Sequence, residues 1–390
     1  MGRADDTTDV LLVGGGVASV RCARTLRRAG FDGRILLVGD EATPPYNRPP
    51  LSKELLRGDL PDDLVLAEPE RWYERRAVDL RTDTSVASLD LDGQVATTVD
   101  GRRTGFERCL IATGAAPRDL PVPGAEHALE LRTLADARRL RSAALAAGEG
   151  APAVVIGGGF IGVEVASSLA ALGLRPTILE RADRLWSGAL GSLLAGWAAE
   201  RLGEAGIAVR TGAEVTAVEP DAVRLGDERL PAALIIAGVG VRPRDELAAN
   251  AGLSVDDGTI TDAAHRTSHP AIWAAGDVAR VAGRRIEHWH AAREGGERAA
   301  RSMLGLSLEP APEPWTFSEV AGSAIDVVGI PEHWDEETWI VADRLVGFLD
   351  AGRVVQLVSV DSVLSTDEMR RLVGARANVD EVRMGMGLGP

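Results

Sequence analysis

One pattern occurs twice in this chain, and nothing else in the sequence limits the possible folds as much. Residues 9–30 read DVLLVGGGVASVRCARTLRRAG: an apolar run, a cluster of glycines, then a segment with apolar residues at helical spacing. Residues 151–184 read APAVVIGGGFIGVEVASSLAALGLRPTILERADR, which repeats that order and adds a second apolar run. A short buried strand, a glycine turn and an amphipathic helix form half of a parallel strand–helix–strand unit. Two such units place the chain in the α/β class, with parallel sheets covered by helices on both faces.

The glycines indicate what such a unit can hold. Gly14 and Gly16 allow a tight turn and close backbone approach to a pyrophosphate, which then meets the free N–H groups and positive dipole end of the following helix. Ser19 stands at the third glycine position, a small residue that still permits close helix–strand packing. The next apolar run, RILLVGDE, ends in Asp40 and Glu41, and either carboxylate can take ribose hydroxyls. In the second unit Gly157, Gly159 and Gly162 complete the full spacing, and Glu180 follows the next strand, where it would accept bonds from a ribose 2′-OH. A carboxylate there repels a 2′-phosphate, so NADH is expected over NADPH, although Arg181 and Arg184 stand nearby.

Composition narrows the rest. The chain has 390 residues, too many for one core, so two or three domains are expected. It is 45% hydrophobic and 26% charged, the composition of a soluble globular protein. A formal net charge of −15 without a basic block argues against nucleic acid as a partner. The opening MGRADDTTD reads as a polar lead rather than a signal peptide, and the apolar runs are short and broken by glycine, so no membrane insertion is expected. Cys22 and Cys109 are far apart and lie in apolar segments; they read as buried core residues in a reducing, cytoplasmic setting.

Three further segments, CLIATGAAPR (109–118), LIIAGVGVRPR (234–244) and IWAAGDVAR (272–280), read as strands ending in small residues. Gly114 and Gly238 would let backbone pass close to a nucleotide. Asp277 would either bond a polyol chain or cap a helix. EHWH places His288 and His290 around Trp289 on an expected strand, a poor arrangement for a metal, and no metal site is expected.

YNRPPLSKELL (46–56) contains Lys53, the single lysine of the chain; every other basic residue among the 43 is arginine. Codon bias could leave one lysine by chance. Alternatively, the site needs a compact point charge that the wide, planar guanidinium cannot supply.

Taken together, LLVGGGVAS, PPYNRPPLSKELL, LIATGAAPR, VVIGGGFIGVEVA, AGVGVRP, AAGDVA and EHWHAAREGGERAARSMLG resemble the two-dinucleotide-binding flavoprotein reductases, specifically the ferredoxin reductases that serve Rieske dioxygenases and cytochromes P450. The resemblance covers nearly the whole chain. It implies two Rossmann-like domains, for FAD and NAD, plus a small C-terminal α+β domain. The FAD domain would be discontinuous, about 1–115 and 243–312, the NAD domain about 116–242, and the C-terminal domain about 313–390.

Carried over by motif, the resemblance implies non-covalent FAD with Gly14, Gly16 and Ala18 at its pyrophosphate, Asp40 or Glu41 at its ribose, and Arg48 and Lys53 facing it. Val86 would meet adenine unless it is core, and Arg132 would be a phosphate-side arginine unless it is a solvated charge at a helix start. Thr113, Gly114, Asp277 at the ribitol and Trp289 against the isoalloxazine complete that set. Gly157, Gly159, Ile161, Gly162, Glu180, Gly238 and Gly240 would hold NADH. Lys53 would pair with Glu164 beside flavin N5, making these two the catalytic residues, unless Glu164 is a helix-surface acid.

Paired or single redox cysteines, found elsewhere in the superfamily, have no counterpart at the matching positions. The C-terminal region departs from the family too: where an aromatic–Trp–Ser–Asp–Gln–Tyr run is usual, this chain has Thr316-Phe317-Ser318-Glu319-Val320, with Trp315 one position early. That run lies where the family's partner protein meets the flavin. TWIVAD, LVGFLD and VVQLVSVD are expected strands, and TDEMRRLVGA a helix capped by Thr366. The expected activity is electron transfer from NADH through FAD to a ferredoxin-type iron–sulfur protein. A partner-free NADH oxidase or quinone reductase, and an NADH-sensing flavoprotein resembling apoptosis-inducing factor, are the alternatives. Because ferredoxins are acidic as well, docking would need a local basic patch, with Arg71–Arg75–Arg76 and Arg21–Arg24–Arg27–Arg28 as candidates. The sequence leaves the oligomeric state open.

Overall fold

A computed structural model describes residues 4–388. The chain divides into two compact units. The first runs up to Arg48 and adds Asp62–Ala116 and Val241–Pro310; the second comprises Pro49–Pro61, Pro117–Gly240 and the chain from Ala311 on.

The first unit is built on one sheet. Its strands lie in the order Val78–Arg81, Ile35–Val38, Asp6–Val13, Arg103–Ile111, Val95–Thr98, Val86–Asp90, and Ile272–Ala274 also pairs with Arg103–Ile111. The first four strands and Ile272–Ala274 run parallel; Val95–Thr98 and Val86–Asp90 turn back antiparallel. Alternation along the central strand explains the layers. Val10 and Leu12 join one core with Val20 and Leu26 of the helix Val17–Arg28, while Leu11 and Val13 join another with Leu247 and Ile272. Cys22 belongs to the first core and Cys109 to the second, both fully buried and unbridged, as expected.

The second unit holds a parallel sheet in the order Ala208–Arg210, Arg175–Leu179, Pro152–Ile156, Leu234–Ala237, and a five-stranded antiparallel sheet in the order Trp315–Val320, Ser323–Val328, Arg353–Val360, Leu345–Asp350, Glu336–Val341. One hydrophobic core joins them: Val163, Val165 and Leu169 of the helix Phe160–Ala171 cluster with Val320, Ile325, Val327 and Phe348 of the antiparallel sheet. The α/β class, the two parallel glycine-turn units and the C-terminal α+β region are as the sequence predicts.

Three local expectations are corrected. The first strand begins at Asp6 rather than Asp9, because Asp6, Thr7 and Thr8 pair with Thr104, Gly105 and Phe106 although their side chains are polar. EHWH is not a strand: Trp289 opens the helix Trp289–Met303 and His288 is its N-cap. The helix Thr366–Gly374 is capped by Ser365, whose hydroxyl accepts from the Glu368 N–H at 3.3 Å; Thr366 is its first helical residue. No described helix is long and apolar enough to cross a membrane.

Candidate functional site

Each unit carries one glycine cradle, and the two are alike in detail. Gly14 ends the strand Asp6–Val13 at φ +123°, and a β-carbon there would fall 2.1 Å from the Ala112 carbonyl oxygen. Gly157 ends Pro152–Ile156 at φ +113°, and a β-carbon there would fall 2.2 Å from the Gly238 carbonyl oxygen. The tail of a neighbouring strand thus forces glycine in both turns. Gly16 and Gly159 are the N-caps of Val17–Arg28 and Phe160–Ala171. Neither helix has a side-chain cap or an acid in its first turn, and beyond the adjoining backbone no atom lies within 4 Å of a β-carbon placed at either cap glycine. An open glycine turn before an uncapped helix N-terminus fits an anion such as a dinucleotide pyrophosphate. Gly162 packs on the carbonyl oxygen of Gly157, which would lie only 2.0 Å from a β-carbon at that position, whereas Ser19 is fully buried at the corresponding point of the first unit.

Around the first cradle the predicted residues fall as follows. Ala18 lies in the first turn of Val17–Arg28, and its carbonyl leaves no room for a β-carbon at Gly296, which fixes where Trp289–Met303 crosses. Asp40 accepts from Arg244 at 2.7 Å. Glu41 accepts from Arg48 at 2.9 Å and from the Tyr46 hydroxyl at 2.6 Å. Burial opposes the Arg48 charge, but Tyr46, Glu41 and Asp277 outweigh it and raise the pKa. Val86 opens the strand Val86–Asp90 and packs, half-buried, on the core. The Thr113 hydroxyl donates to the Arg244 carbonyl at 2.6 Å, and Gly114 has φ +72°. Asp277 caps no helix; the element after it is the strand Ala279–Val281. The Trp289 indole N–H donates to Asn47 Oδ1 at 3.0 Å, and the Arg293 guanidinium lies 4.5 Å from the centre of a Trp289 ring. Burial pushes the His288 pKa down to about 4, against the pull of Asp277, so this imidazole is neutral at pH 7.

Near the second cradle, Glu180 follows the strand Arg175–Leu179 and accepts the backbone N–H groups of Gly158 at 2.6 Å and Ala182 at 2.7 Å. The carboxylate is held against the glycine turn. Ile161 lies in the first helical turn and is 46% exposed. Gly238 directly follows Leu234–Ala237, and Gly240, at φ +97°, accepts from the Arg118 N–H at 2.9 Å. Arg132 directly precedes Thr133, the N-cap of Leu134–Ala147, and its backbone N–H donates to Asp136 at 3.2 Å.

Lys53 and Glu164 meet inside the second unit. The turn Pro49–Ser52 delivers the lysine, and the Ser168 hydroxyl of Phe160–Ala171 fixes that turn by donating to the Ser52 carbonyl at 2.6 Å. Lys53 Nζ donates to Glu164 Oε2 at 2.9 Å, with the two residues only 6% and 4% exposed. Glu164 is therefore no surface acid. Two residues that the sequence pattern does not single out complete the site. Ser52 Oγ donates to Glu164 Oε2 at 2.5 Å, and Ser318 Oγ donates to Oε1 at 2.7 Å. The available signal was the carboxylate itself: a buried Glu has about four lone-pair sites, and one lysine does not fill them.

Other features bear on thiol chemistry, metals and docking. Burial pushes both cysteine thiols far above their ordinary range, and neither reaches solvent. Among the described residues no cluster of His, Cys, Asp and Glu could hold a metal ion. In the arginine-rich helix, Arg24 pairs with Glu68, Arg21 with Glu297 at 3.4 Å, and Arg27 donates to the carbonyls of Phe31, Gly33, Arg76 and Ala77. Arg27 is thus a structural clamp rather than part of a free basic face.

Comparison with known proteins agrees with this geometry. The family model described as pyridine nucleotide-disulphide oxidoreductase matches residues 8–296. The chain is 35% identical to the ferredoxin reductase component of chlorobenzene dioxygenase from Cupriavidus sp. (strain PS12), over 97% of this chain and 95% of that one. It is 32% identical to putidaredoxin reductase from Pseudomonas putida, over 97% and 94%. The reductase in the crystal structure of the covalent putidaredoxin reductase–putidaredoxin complex superposes with a TM-score of 0.90 at 32% identity, covering 96% of this chain and 94% of that one.

Proposed function

Because the chain belongs to the pyridine nucleotide-disulphide oxidoreductase family, we propose that it is an FAD-dependent NADH:ferredoxin oxidoreductase whose acceptor is a ferredoxin-type iron–sulfur protein serving a P450 or Rieske oxygenase. The observation that carries this reading is the doubled glycine cradle: two open turns, each before an uncapped helix N-terminus, in a chain without an accessible thiol. What FAD supplies when bound is two-electron uptake from NADH and one-electron release to the acceptor.

The chain's own residues bind, orient and set charge. Gly14, Gly16 and Ala18 hold the FAD pyrophosphate, Asp40 or Glu41 the adenosine ribose, and Asp277 the ribitol. Arg48, Val86, Thr113, Gly114, Arg132 and Trp289 complete the FAD contacts. Gly157, Gly159, Ile161, Gly162, Gly238 and Gly240 receive NADH, and Glu180 selects it over NADPH. Lys53, held by Glu164, is a fixed positive charge that favours the reduced, more negative flavin. The location we propose is the cytoplasm, where such thiols stay reduced.

The purified protein is expected to be yellow, to release FAD on denaturation, and to reduce a ferredoxin with NADH. A colourless protein that cannot be reconstituted with FAD would overturn the proposal.

A further inference from the structure

Three consecutive residues of the strand Trp315–Val320 reach the neighbourhood of the lysine–glutamate pair. The Phe317 ring centre lies 5.5 Å from Lys53 Nζ, Ser318 Oγ donates to Glu164 Oε1 at 2.7 Å, and Glu319 pairs with Arg57 at 2.9 Å. This is the run in which the sequence departs from the resemblance, yet Ser318 stands where the family's serine does. The two oxygens of Glu164 have different partners: Oε2 takes Lys53 and Ser52, and Oε1 takes Ser318.

We propose that Ser318 is a positioning residue, which orients the Glu164 carboxylate so that Lys53 is held in one place for hydride transfer; this rests on the reading that the Lys53–Glu164 pair tunes that step. A carboxylate turns easily about its last torsion, so what fixes it is its hydrogen bonds. Ser318 is 3% exposed, and Glu164 is buried beside it. Without the Ser318 hydroxyl, Oε1 is a buried acceptor stripped of its donor. The carboxylate then turns to share both oxygens among the remaining donors, and the lysine follows. The ring of Phe317 and the Glu319–Arg57 ion pair hold the strand on either side, so the loss of one hydroxyl leaves the strand in place.

The single lysine allows a direct test. In holoenzyme grown with lysine labelled at the ε-carbon with carbon-13, all side-chain signal comes from Lys53. Ser318→Ala is expected to shift or broaden that signal. It is also expected to lower the limiting rate of flavin reduction by NADH by about threefold to tenfold, the equivalent of one net hydrogen bond. The half-saturating NADH concentration stays within about twofold, because ground-state binding is untouched. Ser318→Thr, which keeps the hydroxyl, restores both signal and rate. An unchanged Lys53 signal and a wild-type limiting rate in Ser318→Ala, beside a slow Glu164→Gln control, would overturn the positioning role alone. A wild-type rate in Glu164→Gln would overturn the tuning role of the pair, and the proposal with it.

Discussion

Glu180 shows how one side chain combines two tasks. It anchors the glycine turn through the Gly158 N–H, and in the NADH site proposed above it would set a negative charge against a 2′-phosphate. Glu180→Gln removes the charge and keeps one of the two acceptors, enough for the Gly158 N–H but not for the Ala182 N–H as well, a loss common to both cofactors. Its NADH efficiency is expected to fall little, while kcat/KM for NADPH rises by roughly tenfold, a relief of about 1–2 kcal/mol. Steady-state kinetics with both cofactors measure this, and an unchanged NADH/NADPH ratio would mean that Glu180 serves only the turn. The placement of such residues was legible in the sequence because it follows a fixed short spacing: glycines in a turn, a carboxylate at the next strand's end. Lys53 stood out by being alone in an arginine-rich chain. Ser318 was not legible as a partner of Glu164, since 154 residues separate them and a serine in a strand carries no sign of what it touches.

The elements of the second unit solve one capping problem at long range. The helix Ser192–Glu204 begins at Gly191, which has no side chain to cap it. Glu337, from the strand Glu336–Val341, accepts the Ser192 N–H at 2.9 Å, the Leu193 N–H at 3.1 Å and the Ser192 hydroxyl. A β-carbon at Gly191 would fall 2.0 Å from that carboxylate, so the missing side chain is the condition for the borrowed cap. Glu337→Ala is expected to destabilise the protein by about 1–3 kcal/mol. Faster hydrogen exchange at the amides of Ser192 and Leu193 is the local readout; unchanged protection there would rule out the cap. Elements whose pattern is local were read correctly. Two of the three errors came where local signals compete, and the third, the start of the first strand, came from polar residues that pair all the same. Glu287 to His290 alternate like a strand before the helical period shows in the residues that follow, and Ser365 and Thr366 are both good caps, between which only backbone geometry chooses.

At the scale of the whole molecule, stability in acid depends on a histidine outside the proposed chemistry. His265 sits at φ +63° under the helix Trp289–Met303, 5% exposed, with Nδ1 2.9 Å from the Ala274 carbonyl oxygen. Burial pushes its pKa down from 6.5 to about 4, only partly offset by that carbonyl. The folded protein therefore holds His265 neutral while the unfolded chain takes up a proton. Above pH 6.5 neither state is charged there and nothing is lost. Between pH 6.5 and 4 the unfolded state gains, and stability falls by about 3 kcal/mol from this group before levelling off. His265→Asn, which tolerates the left-handed backbone, should lose less stability than the wild type over that window. Denaturation midpoints at pH 7 and pH 4.5 compare the two, and parallel pH dependences would contradict the assignment.

The burial of Lys53, Cys22 and Cys109 also has a practical side. The outer surface offers conjugation reagents no readily accessible lysine amine and no accessible thiol. A cysteine engineered at any exposed arginine would therefore be the sole handle for a maleimide linker. Molecules tethered through it to an electrode would all stand in one orientation, with the attachment point chosen by the experimenter rather than scattered over many reactive side chains.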